Sequence, residues 1–136
     1  MKDFSWQMNQ WVNNTIKATK DEAEKVAVEI IEGVIALSPH PSGASGRPSP
    51  YSTGEFVNNW KVGSSTSSDF TDVPIASKQA KVDELTKAIN GWFDTHNTLF
   101  IYNSGPYVAQ VEFEGWKYSD EYAPIRRTLD RIRTRR

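Results

Sequence analysis

The run Thr98-Leu-Phe-Ile-Tyr102, followed at once by Asn103-Ser-Gly-Pro-Tyr-Val-Ala-Gln-Val-Glu-Phe-Glu-Gly115, leaves this chain few ways to fold. The first part is β-branched and aromatic, which suits a strand. In the second, Ser104 stands where its hydroxyl can accept from an unpaired amide of a first helical turn. Pro106 then falls inside that turn, where its missing N–H costs nothing. Tyr107, Val108 and Val111 share one helical face. Gly115 serves as a stop, because glycine takes the left-handed backbone without a Cβ penalty. The reading is a strand feeding a short helix capped at both ends, a rigid corner for neighbours to pack around.

Upstream, residues 4–37 carry the longest periodic pattern. Phe4, Met8, Val12 and Ile16 step by four, and Ala23, Val26, Ala27, Ile30, Val34 and Leu37 continue at threes and fours, with charges opposite. This predicts a long amphipathic helix. A break near Asn13-Asn14-Thr15 is an alternative, with Thr19 and Glu22 at capping-box spacing for a second start. Gly33 costs such a helix about 1 kcal/mol relative to Ala. Trp6 and Trp11 lie off the main stripe and either cover the core edge or dock a neighbouring subunit.

Residues 38–53 hold four prolines, two glycines and several serines, which predicts a long loop. Arg47 and His40 are its only residues with a possible positive charge, and His40 reads as solvated. Ser52-Thr-Gly-Glu55 has capping-box spacing and predicts a helical turn through Asn59, then a strand from Trp60 to Gly63. Residues 64–72 read as the tip and return arm of a hairpin. Val82, Leu85, Ile89 and Trp92 predict a helix over about 75–93, with Lys78, Lys81, Asp83, Glu84 and Lys87 facing away. His96 sits in the turn that follows. A last helix begins near Ala123-Pro124, with Ile125, Leu129 and Ile132 on one face.

Together these elements predict one α+β domain over residues 1–136: a small, mostly antiparallel sheet packed by the long first helix and the 82–92 helix, with a short capped helix and a C-terminal helix. Ile30, Val34, Leu85, Ile89, Phe100 and Val111 are the expected core.

At 136 residues a modest core is possible without staples. The chain has no cysteine, which excludes disulfides, thiol catalysis and thiolate metal sites. No apolar run has the length of about 20 residues that spans a bilayer, and the first residues lack the apolar segment of a signal peptide. The net charge of −1 argues against a dedicated nucleic-acid binder. It is unevenly spread: Arg126, Arg127, Arg131, Arg133, Arg135 and Arg136 crowd the C-terminal end, more than a helix dipole needs. There are five tryptophans, a residue enriched at buried anchors and interfaces.

Motifs for catalysis are missing. There is no Walker loop, Gly-x-Gly-x-x-Gly or His-Glu-x-x-His, and Gly43-Ala-Ser-Gly46 is one residue short of a nucleophile elbow. Glu112 and Glu114 are two apart, which on a helix does not bring them face to face. The residues point to a binding or structural role without enzyme activity, metal or cofactor.

Three features in order resemble the tail-completion, or head-to-tail joining, proteins of long-tailed bacteriophages, the neck components grouped with Z-type minor tail proteins. After the long N-terminal helix, Pro50-Tyr-Ser-Thr53-Gly54 through Trp60 is similar to the family's Pro-x-Asp-Thr-Gly turn and the polar stretch ending in a bulky residue. Asn103, Pro106, Tyr107, Val111, Glu112 and Gly115 are similar to its Asn-x-x-Pro-Tyr-Ala-x-x-(Ile/Val)-Glu-x-Gly pattern. Ala123-Pro124 looks like its lead-in to the closing helix. Ser52 stands where the family has Asp, Val108 where it has Ala, and Gly115 one residue late. The resemblance implies a structural virion protein of the neck, in the host cytoplasm during assembly. It would form a ring, expected as a hexamer, that joins the head connector or stopper to the tail terminator or tube, touching no membrane. The C-terminal arginines would pair with the acidic first helix of a neighbouring subunit or face DNA in the lumen. A tail-terminator ring protein and a small nucleic-acid-binding module using the arginine end are the alternatives.

Overall fold

A computed structural model describes residues 4–40, 54–106, 108–114 and 123–135, with backbone alone for 4–16, 110, 114 and 135. Helix α1 runs unbroken from Phe4 to Ala36. Asn13–Thr15 do not interrupt it, and the spacing of Thr19 and Glu22 starts no second helix. A short α2 (Glu55–Asn58) leads into strand β1 (Trp60–Gly63). Helix α3 (Lys78–Ile89), a one-turn α4 (Trp92–Thr95) and strand β2 (Phe100–Asn103) follow. A π-helical segment, Gln110–Glu114, precedes the last helix, α5 (Pro124–Arg135).

The two strands pair antiparallel, Trp60 opposite Asn103 and Gly63 opposite Phe100. The α+β reading therefore holds: a small antiparallel ribbon is packed by α1 and α3, with a closing helix. A lone two-stranded ribbon is marginal in water, so its stability here comes from the helices it packs on. The return arm expected over 64–72 is absent. The partner of β1 is β2, and residues 64–73 run without regular structure.

The core joins Ala27, Ile31, Val34 and Ile35 of α1 to Phe56, Val57, Trp60, Leu85, Ile89 and Val111. Four of the six expected core residues are there. Ile30 is only partly buried, while Ile31 is fully enclosed. The reason is that α1 is covered on two sides, by α3 and by α5, so its buried arc is wider and turned from the expected stripe. Phe100 is 43 % exposed. It stands opposite Gly63 on the outer face of the ribbon, while the neighbouring Leu99 and Ile101 point inward, as the strand's two-residue period requires.

Helix α3 is shorter than its period suggested. The Ser77 hydroxyl accepts from the Ala80 amide at 3.0 Å and sets its start. Asn90 and Gly91 end it, and Trp92 belongs to α4. Lys81, expected outside, is buried, with its ammonium 2.6 Å from Glu84 and 3.4 Å from the Asn58 side chain. Lys78 donates to the Ala36 carbonyl at 2.9 Å, a cation at the carboxyl end of α1.

Gly33 is where α5 crosses α1. A Cβ there would lie 2.5 Å from Thr128 Cγ2 and 2.8 Å from its Oγ1. The glycine that weakens the helix in isolation is the one that lets the second helix approach.

Candidate functional site

Among the residues that carry the resemblance, Gly54, Trp60, Asn103, Pro106, Val111, Glu112, Ala123 and Pro124 fall in the described part of the chain. Pro50, Thr53, Tyr107, Gly115, Arg47 and Arg136 lie outside it, as do the side chains of Trp6, Trp11 and Arg135.

Gly54 begins α2 with φ 94°, the left-handed region, and no side chain caps the helix. The start expected from Ser52 is therefore displaced to a glycine. Its carbonyl accepts from the amides of Asn58 and Ile75, both at 3.2 Å. A Cβ at Gly54 would meet the Ile75 carbonyl and Pro74 Cβ at 3.0 Å. Conformation and crowding both call for glycine at this crossing.

Next to it, Asn59 is 1 % exposed and its side chain is fully used. Its Nδ2 donates to the Glu55 and Thr71 carbonyls at 2.8 and 2.9 Å, and its Oδ1 accepts from the Thr71 amide at 2.9 Å. Its backbone carbonyl accepts from Ser104 at 3.1 Å. Trp60, also 1 % exposed, donates through Nε1 to Ser38 Oγ at 2.9 Å, and Ser38 in turn donates to the Val34 carbonyl at 2.6 Å. Phe56 meets the Trp60 indole edge-on, with centroids 6.0 Å apart. Trp60 thus ties the ribbon to the end of α1.

Asn103 donates from Nδ2 to the Phe56 carbonyl at 2.8 Å and accepts the Gly105 amide on Oδ1 at 2.8 Å. It, and not Ser104, closes the turn after β2. Ser104 Oγ is buried with no hydrogen-bond partner, so the capping role expected for it is not realised. The short helix expected there is wound as a π segment, with Val111 in the core.

Glu112 is buried, and its carboxylate caps α5 from outside the helix. Oε2 accepts from the Ile125 amide at 3.0 Å and Oε1 from the Arg126 amide at 2.8 Å. The Arg126 guanidinium lies 3.4 Å from Oε1, also donates to the Glu112 carbonyl, and stacks over the Phe113 ring at 4.8 Å. A carboxylate beneath a helix N-terminus satisfies free amides and meets the positive end of the dipole. Ala123 leads in with φ 45°, held by a 3.1 Å bond to the Val111 carbonyl. A left-handed alanine stores roughly 1–2 kcal/mol of strain.

Both histidines make contacts within the chain. His96 ends α4 and stacks on Trp92 at 3.9 Å. His40, expected in solvent, is 6 % exposed, and its Nε2 bonds the Ile75 carbonyl at 2.8 Å. Burial pushes the Lys78 amine below the usual lysine range. On α5, Arg127, Arg131 and Arg133 are exposed, and Arg133 lies 3.8 Å from Asp130. Arg131 shares a groove with Glu29 and Glu32 of α1 in the same chain. The acidic face expected to meet the arginines across a subunit boundary is thus beside one of them already.

Among the described residues no group of three or more His, Asp and Glu could hold a metal, and no helix is long and apolar enough to cross a membrane. Sequence reasoning does not reach the buried roles of Asn59, Ser38 and Lys81 or the Gly33–Thr128 crossing. Each depends on a partner 12 or more residues away, and Asn59, next to the motif tryptophan, gave no local sign of it. No protein-family model, curated protein or solved structure matches the chain.

Proposed function

We propose that this chain is a structural ring subunit of a bacteriophage neck, acting in tail completion between the head connector and the tail. The observation that carries this reading is how the motif side chains are used. Gly54, Trp60, Asn103 and Glu112 are each spent on a joint between backbone segments. Such residues fix a frame, which is what a subunit under load between two larger assemblies requires. Glu112, the acidic residue of the motif, has both oxygens engaged by helix amides, which suits a cap better than a general base.

The surface adds support. Phe70, Val73, Phe100 and Phe113 are each between 43 and 64 % exposed. Contact with other subunits would give these side chains a place out of water. The partners in this reading are further copies of the chain, the connector or stopper on the head side and the terminator or tube on the tail side.

The test is genetic and visual. Removing the gene from the phage that encodes it should leave filled heads and free tails unjoined, and the purified protein should give rings by negative-stain microscopy. Normal virions from the deletion phage would refute the reading.

A further inference from the structure

Helices α3 and α4 are joined by Asn90-Gly91, the one Asn-Gly pair in the chain. Glycine has no Cβ to shield its nitrogen, so an asparagine followed by glycine is open to attack by the next main-chain nitrogen. In that reaction the Gly91 nitrogen gives its proton to solvent base and bonds to Asn90 Cγ. The Cγ–Nδ2 bond breaks, and ammonia leaves after taking up a proton. Water then opens the five-membered imide at either carbonyl and leaves aspartate or isoaspartate at 90. The sum is one water consumed and one ammonia released, with no oxidant, metal or second enzyme.

The surroundings of this pair both permit the reaction and restrain it. Asn90 is exposed, and its side-chain amide forms no hydrogen bond among the described residues. It borders a groove of about 380 Å³ between α1 and α3, which leaves room for the side chain to turn. The main chain is held instead. The Gly91 amide donates to Glu24 Oε1 of α1 at 2.8 Å. Asn90 has ψ 118° and Gly91 φ 74°. Ring closure needs the Gly91 nitrogen nearly eclipsed with Asn90 Cβ about the Cα–C bond. For an L-residue that demands a strongly negative ψ, so the Asn90–Gly91 peptide must turn over and leave Glu24. The carboxylate also opposes loss of the Gly91 proton, because one negative charge disfavours a second beside it.

We infer that Asn90–Gly91 is a modification site, where the chain converts itself to aspartate or isoaspartate, and that Glu24 sets the rate by holding the Gly91 amide. The inference does not depend on the ring reading. The product places a new carboxylate at the carboxyl end of α3, where the helix dipole disfavours it. Glu24 and Asp83 line the same groove, with Lys87 as the opposing cation. Isoaspartate also lengthens the main chain by one carbon at the joint that Glu24 fastens, so conversion weakens the tie between α1 and α4.

The test is ageing of the full chain in warm, mildly alkaline buffer, with peptide mapping by mass spectrometry to count conversion at residue 90. The folded wild type should convert more slowly than the same chain in urea. Folded Glu24→Ala should convert faster than folded wild type, by up to about tenfold for losing one hydrogen bond to a partly exposed charged group. Ser38→Ala, destabilised at a distant joint, should keep the wild-type rate, which separates release of Gly91 from general loosening. Asn103, bonded through both ends of its side chain, should stay intact in the same digests. If Glu24→Ala fails to fold, Glu24→Gln decides, with a smaller rise expected. No conversion in urea would overturn the site. A folded wild type as fast as the unfolded chain, a Glu24 variant no faster than wild type, or a Ser38→Ala rise equal to that of Glu24→Ala would overturn the role of Glu24.

Discussion

Replacing Glu112 by alanine removes a joint whose energy can be worked from its contacts. The carboxylate accepts two amides of the first turn of α5, at 3.0 and 2.8 Å, from a side chain 5 % exposed. Losing one N-cap bond costs about 0.5–2 kcal/mol. Two buried donors lose their acceptor together, so Glu112→Ala should cost about 2–4 kcal/mol. Glu112→Gln keeps one acceptor oxygen but loses the charge, and about half that loss is expected. The ion pair to Arg126 contributes little to the sum. Its guanidinium side is 46 % exposed and screened, so Arg126→Ala should cost under about 1 kcal/mol. The assay is urea unfolding at one fixed protein concentration, since self-association would add its own stabilisation. Hydrogen exchange at the Ile125 and Arg126 amides gives a local readout, slow in the wild type and faster in Glu112→Ala. A Glu112→Ala variant within about 0.5 kcal/mol of wild type, or one matched by Arg126→Ala, would refute the capping argument.

Gly33→Ala should destabilise by up to about 2 kcal/mol: overpacking against Thr128 costs about 1–3, and the better helix former returns about 1. Adding Thr128→Ala should recover part of the loss, and thermal melts of the double-mutant cycle would show the coupling. Ser38→Ala leaves Trp60 Nε1 buried without its acceptor and should cost about 1–3 kcal/mol, seen in urea unfolding with a shift in tryptophan fluorescence. Lys78 is held below the usual lysine range by burial, so between the two values the unfolded chain binds more protons than the folded one. Its contribution to stability therefore rises with pH across that window, and the melting temperature of wild type relative to Lys78→Met should climb as the pH rises towards the usual lysine value.

The fold was legible where physical cause and sequence position coincide. The helical period of residues 4–37 and the apolar spacing of Val82, Leu85 and Ile89 report burial that local geometry imposes, and both helices are present. Fine placement failed where a distant partner decides. Ile31 replaces Ile30 at the centre of the buried arc because α5 covers a second side of α1, and no window within α1 contains that fact. Ser104 and Asn103 compete for the same turn. The serine hydroxyl had the better local rule, yet Asn103 wins because its amide also reaches the Phe56 carbonyl, 47 residues away.

The site follows the same division. Gly54 and Trp60 are separated by α2, and Asn103 pairs with Trp60 across the ribbon, so the first two motifs meet at one joint. Glu112 and Ala123-Pro124 meet at another, where a carboxylate from one motif caps the helix opened by the next. Spacing along the chain is thus fixed by where the segments must cross. A side chain kept for catalysis would show a polar end aimed into open space, as a substrate must reach it. Those of Asn59, Asn103 and Glu112 end on the backbone of this same chain.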